Sequence, residues 1–293
     1  MNRRRAAEAA LIFNVTIWGA TFVLIKAALT DLSPVLFLAL RFTLATIALV
    51  VAFRGAGMPW RSWKTAGAGA MAGTFLFFAY LFQTVGLRFT TAPRSAFITG
   101  LTSVAVPLLA ASVYRVKPNR SEVMGVLIAT GGLALMTLPG GKGPVGTGDL
   151  LTVCGAIGFA AYIVMLDHYR NKMGYELLAV SQIAISAVWA WALVWLVETP
   201  RLAWRPAVVW AILITGLLCT ALAFAILAWA QRYTSATRTA LIFMLEPVVA
   251  WITSYVTVGE GLSGRAAAGA ALILGGVAMV ELKPLNPKPH RFL

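Results

Sequence analysis

The chain has 293 residues, 60% of them hydrophobic and only 12% charged. A soluble domain carries about a quarter charged residues, so this much apolar surface cannot hide in one aqueous core and must face lipid. The net charge of +14 does not indicate a nucleic-acid partner, because the basic residues sit mostly in short gaps between apolar runs, where they act as topology signals.

A helical span needs about 20 apolar residues to cross a hydrocarbon layer of about 30 Å. The sequence predicts ten: 9–29, 33–53, 65–86, 91–114, 122–138, 149–167, 178–198, 207–230, 237–258 and 265–282. The first follows a basic "MNRRR" start, but its apolar run is too long for a signal peptide and reads as a retained span. All ten are too long and too uniformly apolar for barrel strands. The gaps carry turn chemistry, as in "RGAGMPWRSWK", "RVKPNRSE" and "PGGKGPVGTGD". The expected class is an all-α integral membrane protein. Sixteen Lys and Arg residues fall at the N-terminus and after even-numbered spans, against six after odd-numbered ones. That asymmetry places both termini in the cytoplasm.

In chain order, Asn14, Trp18 and Thr21 share one face of span 1, at i, i+4 and i+7. Lys26, one turn from that span's external end, is expected to snorkel to the surface. Arg41 lies about 10 Å into span 2 by helix rise. It either binds a carboxylate bidentately or, as favoured here, ties helix ends together. In span 3, Tyr80 and Gln83 are neighbours with Phe77 one turn earlier, and Gly69 and Gly73 make a close-packing face. Ser95, Thr99 and Thr102 form a stripe on span 4, which also holds Pro107. Tyr162 lies one turn from Gly158 in span 6.

Trp191 and Trp195 of span 7 are expected to face lipid. Trp60, Trp63, Trp204 and Trp210 sit near span ends, as an interfacial belt requires. Thr239, Phe243 and Glu246 repeat the i, i+4, i+7 spacing in span 9, where Pro247 should kink the helix and free a carbonyl. The paired glycines of spans 5 and 10 suit close helix packing. Cys154 and Cys219 lie inside apolar runs without metal or disulfide spacing and are expected to be buried, inert thiols.

Ionisable groups at membrane depth are costly and face a cavity or a partner. Glu246, near the midplane, is a substrate-ammonium contact, a proton site, or a structural carboxylate paired with a neighbouring helix. The polar stripes either converge on a pocket or glue helices together. The candidate substrate-binding residues are Asn14, Trp18, Thr21, Tyr80, Gln83, Thr99, Tyr162, Phe243 and Glu246.

The sequence repeats itself. "LRFTTAPRSAF" (87–97) aligns without a gap to "QRYTSATRTAL" (231–241), 144 positions later. The same offset pairs Gly125 with Gly269, Gly131 with Gly275 and Gly132 with Gly276. Each half, 1–140 and 146–293, holds five spans. An odd number makes the second half enter the membrane upside down, as two inverted five-helix repeats, the build of many secondary transporters. Pro107 and Pro247 do not align at this offset, so their kinks need not be equivalent.

Several stretches resemble the EamA-type branch of the drug/metabolite transporter superfamily. "IWGATFVLIK" (17–26) is similar to that family's first-span signature and "LRFTLATIALV" (40–50) to its second. "LEPVVAWITSYVTVGEGLSGRAAAGAALILGGV" (245–277) is similar to its ninth and tenth spans. The resemblance covers nearly the whole chain. It implies ten helices in two inverted repeats and export of small metabolites across a bacterial inner membrane, several members exporting amino acids, aromatic ones included. One departure stands out. Gly259 and Glu260 have no first-half match, where Arg115 and Val116 stand instead.

The expected function is therefore secondary export of small organic solutes, amino acids with aromatic or hydrophobic side chains favoured, with proton coupling through Glu246 as one option. A broad exporter of drugs or cationic metabolites is the alternative. No GxxxxGK[ST] loop supplies a nucleotide motor. A membrane enzyme is disfavoured, because His168 and His290 are the only histidines and no H-E-x-x-H occurs. A channel is disfavoured for want of a filter-like loop or charged rings. No cofactor or metal is expected.

Overall fold

Backbone N–H and C=O groups in lipid need internal partners, and a helix supplies them within each segment. The computed structural model describes residues 3–55, 63–90, 92–115, 120–137, 146–169, 173–258 and 263–281. Trp60, Val116, Gly259, Glu260 and His290 lie outside these residues. Thirteen α-helices and one π-helical turn form among the described residues. The first half contains α1 (Arg3–Ala28), α2 (Pro34–Ala52), α3 (Trp63–Phe89), α4 (Ala92–Gly100), α5 (Thr102–Tyr114) and α6 (Arg120–Thr137). The second contains α7 (Thr147–Tyr169), α8 (Tyr175–Val197), α9 (Pro206–Gly216), the π turn (Leu217–Leu222), α10 (Ala223–Ala230), α11 (Ala236–Phe243), α12 (Glu246–Val258) and α13 (Gly264–Glu281).

Among the described residues, seven helices are long and apolar enough to cross a membrane: Arg3–Ala28, Pro34–Ala52, Gly67–Phe89, Thr147–Tyr169, Tyr175–Val197, Pro206–Ala230 and Ala236–Thr253. Ile98–Tyr114 and Ala267–Met279 are shorter apolar helices. The protein is thus all-helical and multi-pass. Large apolar side chains such as Trp195, Leu196 and Val256 stand more than 70% exposed on its outside, as lipid contact requires.

Two of the expected spans are broken rather than continuous. α4 ends at Gly100 and α5 begins at Thr102. α11 ends at Phe243 and α12 begins at Glu246. At the first break Leu101 N–H donates to Ile98 O at 3.1 Å. At the second, Met244 and Leu245 donate to Leu241 and Ile242 at 3.0 Å each. Both are i→i−3 turns, tighter than an α-helix. Pro247 has no N–H, so the Phe243 carbonyl is left without its usual donor four residues on. Leu101 and Leu245 are 144 residues apart. The prolines are not equivalent, yet the breaks are.

At the same offset α4, α5 and α6 of the first half correspond to α11, α12 and α13 of the second. The packing is reciprocal too. A methyl group in place of the Gly132 hydrogen would lie 2.5 Å from the Gly269 carbonyl oxygen. One at Gly276 would lie 2.7 Å from the Gly125 carbonyl oxygen. Each pair is the other with the halves exchanged, and residue order along the two helices is opposite. Likewise Asn14 on α1 meets Ala223 on α10, and Gly158 on α7 meets Ala79 on α3, the same pair 144 residues displaced. Gly69 and Gly73 give α3 its close approach to Ser181, Gln182 and Ile185 of α8.

One end of the molecule is laced by backbone. Leu32 and Leu202 form an antiparallel bridge. Ser33 N–H donates to Arg201 O at 3.0 Å and Ala203 N–H to Asp31 O at 2.9 Å. The Glu198 carboxylate accepts from Val35 and Leu36 N–H at 3.2 and 2.9 Å, satisfying donors that every helix N-terminus leaves open.

At the end of span 1, Lys26 Nζ donates to Leu87 O and, at 2.7 Å, to Thr90 O, closing the C-terminus of α3, where orphan carbonyls and a negative helix end attract a cation. One expectation is corrected here. Cys154 is exposed, whereas Cys219 is buried. Membership of an apolar run does not distinguish a lipid-facing position from an interior one.

Candidate functional site

Local helix irregularity builds the site. In an α-helix the Cys219 carbonyl would accept from Ala223 N–H. Here Ala223 N–H donates to Leu218 O and Thr220 O. The π turn thus releases the Cys219 carbonyl, which accepts from Trp18 Nε1 at 2.8 Å and Arg41 Nη2 at 3.5 Å. Such turns occur often at functional sites. The same turn sends Thr220 Oγ1 back to Thr215 O at 2.7 Å, five residues earlier, and lets it accept from Arg41 Nε at 2.6 Å.

Beside this turn, between the halves, lies a chamber of about 80 Å³. Eight of the nine expected binding residues line it: Trp18, Thr21, Tyr80, Gln83, Thr99, Tyr162, Phe243 and Glu246. Asn14 does not. Its side chain is fully buried and its Nδ2 donates to Ala223 O at 2.7 Å, joining α1 to α10. Ser95 and Thr239, from the stripes on spans 4 and 9, are also buried away from the chamber.

The walls are aromatic. Trp18 packs edge-on against Phe243 at 5.0 Å between ring centroids and tilted against Phe224 at 5.6 Å. Tyr80 meets Phe159 edge-on at 4.9 Å and Phe224 at 6.0 Å. Edge-to-face contacts at these distances are the favoured geometry for rings. Gln83 Nε2 donates to Thr99 Oγ1 at 3.0 Å, so these two polar residues are mutually satisfied. The Tyr162 hydroxyl donates to Gln182 Oε1 at 3.0 Å, fixing that ring from α8.

Sequence reasoning set Arg41 aside as a helix tie, and it did not select Phe159, Phe224 or Thr102. All four line the chamber. Arg41 is 2% exposed, lies over the Tyr80 ring at 4.6 Å and donates to its hydroxyl at 3.3 Å. It has permanent partners, as expected, but in the middle of a helix rather than at helix ends. The repeat carried a signal for two of the others. Phe224 stands 144 residues after Tyr80, and Thr102 stands 144 before Glu246.

Glu246 is the first residue of α12, directly after the break. Its carboxylate makes no ion pair or hydrogen bond among the described residues. No group of three metal-ligating side chains occurs among them either.

The model of the EamA-like transporter family matches twice, over residues 5–138 and 146–282. The chain belongs to the EamA-like transporter family. It is 32% identical over 285 residues to an "Uncharacterized transporter" of Archaeoglobus fulgidus, covering 96% of this chain and 87% of that protein. It is 24% identical to a "Probable terminal-alkyne amino-acid exporter" of Streptantibioticus cattleyicolor, covering 94% of each. A solved structure superposes with a TM-score of 0.79 over 95% of this chain and 97% of the other, at 18% identity. That likeness concerns the fold alone. The EamA-family assignment and the apolar helices together make this chain a membrane-embedded transporter.

Proposed function

We propose that this EamA-family chain is a secondary transporter exporting small organic metabolites, foremost amino acids with aromatic or hydrophobic side chains. Two inverted five-helix halves, 1–140 and 146–293, rock about one chamber and open it to each side in turn. Both termini lie in the cytoplasm and the membrane is the bacterial inner one.

One observation carries this reading. Five pairs of residues 144 apart line the same chamber: Trp18 with Tyr162, Tyr80 with Phe224, Gln83 with Leu227, Thr99 with Phe243, and Thr102 with Glu246. A cavity lined by matching positions of both halves lies where the halves exchange, the place an alternating-access site must occupy. The opposite residue order at the Gly132–Gly269 and Gly125–Gly276 contacts supports inversion. The aromatic walls suit an apolar side chain, and the Streptantibioticus relative is named for amino-acid export.

A second reading, a broad exporter of cationic metabolites, draws on the unpaired Glu246 carboxylate beside aromatic faces, which attract cations. Counterflow in proteoliposomes with the twenty amino acids, sugars and cationic drugs separates the two. Saturable exchange of aromatic and branched amino acids supports the first. Exchange confined to cations, or conductance that does not saturate, overturns it. Proton coupling through Glu246 belongs to the same proposal.

A further inference from the structure

A guanidinium and a carboxyl group face the chamber without bonding to one another. Arg41 on α2 and Glu246 at the start of α12 both line it, and both act electrostatically on the Tyr80 hydroxyl and on Cys219. Yet the two make no ion pair with each other among the described residues. Burial of a charge is costly unless it is paired or hydrogen-bonded. A cavity that holds a guanidinium and an uncommitted carboxyl group apart is therefore complementary to a solute that carries both a carboxylate and an ammonium.

The Arg41 guanidinium is partly committed and partly open. Nε is held by Thr220 Oγ1, and Nη2 by the Tyr80 hydroxyl and the Cys219 carbonyl. Nη1 makes no bond among the described residues. A guanidinium anchored along one edge presents its remaining donors in a fixed direction, the arrangement that suits a carboxylate. The π turn matters here, since it provides both the Thr220 hydroxyl and the freed Cys219 carbonyl that hold this edge. Glu246 has no such anchor and is open to an ammonium.

We infer that Arg41 and Glu246 form the two poles of a zwitterion site, Arg41 taking the α-carboxylate and Glu246 the α-ammonium of an amino acid. The side chain then lies against Trp18, Phe224 and Phe243. This rests on the transport reading above and narrows it to solutes with both charges. An exporter of simple cations would need Glu246 but has no use for a buried guanidinium, which would repel its substrate.

The test uses three solutes with one side chain in common: phenylalanine, phenethylamine, which lacks the carboxylate, and 3-phenylpropanoate, which lacks the ammonium. Binding to the full chain in detergent is followed by tryptophan fluorescence, and counterflow is measured in liposomes. Phenylalanine is expected to bind at least ~10-fold more tightly than either analogue, the effect of losing one charge-assisted hydrogen bond. Glu246→Gln should erase the preference over 3-phenylpropanoate while keeping the preference over phenethylamine. Arg41→Gln should do the reverse. If Arg41→Gln does not fold, the Glu246→Gln pattern and the wild-type ranking decide alone. Equal binding of phenylalanine and phenethylamine, or no binding of any of the three, overturns the site. Binding in the expected order without counterflow upholds the site and overturns the transport mechanism instead.

Discussion

Trp18 and Tyr162 stand 144 residues apart in the sequence and line the same chamber. They are anchored differently. Trp18 Nε1 reaches the Cys219 carbonyl released by the π turn, at 2.8 Å, whereas the Tyr162 hydroxyl reaches Gln182 on α8, at 3.0 Å. Position is repeated while chemistry has diverged. A chamber with identical halves would present two copies of one surface, and the divergence lets one half supply hydroxyls where the other supplies a ring or a carboxylate. Trp18→Phe keeps the ring contacts and removes one donor from a buried carbonyl. The expected loss is about 1 kcal/mol, read as a lowered midpoint of thermal unfolding in detergent. An unchanged midpoint would mean that the Cys219 carbonyl finds another donor.

The glycine pairs of α6 and α13 give a sharper contrast. Gly132 and Gly276 face backbone at 2.5 and 2.7 Å, while a methyl group at Gly131 or Gly275 would meet nothing within 4 Å. Gly132→Ala and Gly276→Ala are each expected to destabilise by about 1–3 kcal/mol through overpacking. Gly131→Ala and Gly275→Ala are expected to be neutral or slightly stabilising, as alanine is the better helix former. Thermal unfolding of the four variants checks this, and equal effects at all four would contradict the helix pairing.

Lys26 offers a test between two roles. A snorkelling lysine can be replaced without consequence. A lysine that closes α3 through Leu87 O and Thr90 O cannot. Lys26→Met should cost about 1–2 kcal/mol, the loss of charged hydrogen bonds to carbonyls, and should speed proteolysis in the segment after α3. A neutral substitution would support the snorkelling view.

How far the sequence could be read depended on the range of the physics involved. Apolar run length reports burial in lipid directly, so the helical, multi-pass class was legible, and the offset of 144 was legible from Arg88/Arg232 and the glycine pairs. The equivalence of the helix breaks was not. Pro247 marks the break at Leu245, two residues before it, but Pro107 stands six residues past the break at Leu101, so only one of the two equivalent breaks has a local breaker. The π turn at Leu217–Leu222 has no local signature either. It is recognised by what its freed carbonyl bonds, Trp18 and Arg41, both more than 150 residues away in sequence. Helical spacing placed Asn14 and Trp18 on one face but could not say that the first meets α10 and the second the chamber. That separation depends on the depth at which neighbouring helices cross.

Glu246 is the titratable carboxylate of the chamber, and the proton-coupling proposal depends on it. Glu246→Gln is expected to flatten the pH dependence of amino-acid counterflow while leaving a reduced, pH-independent exchange. Counterflow across a pH series in wild type and variant measures this. A variant whose pH profile follows that of wild type would move the coupling group elsewhere.

The central claim is that two inverted halves share one chamber, and sidedness tests it most directly. Arg88 and Arg232 occupy equivalent positions, Arg88 exposed in the last turn of α3 and Arg232 bonded to Met173 O at 2.8 Å. In a background with Cys154 and Cys219 replaced by serine or alanine, Arg88→Cys and Arg232→Cys are treated with a membrane-impermeant thiol reagent on intact cells. The account predicts labelling of Arg88→Cys from outside and of Arg232→Cys only after permeabilisation. Labelling of both from the same side would contradict it.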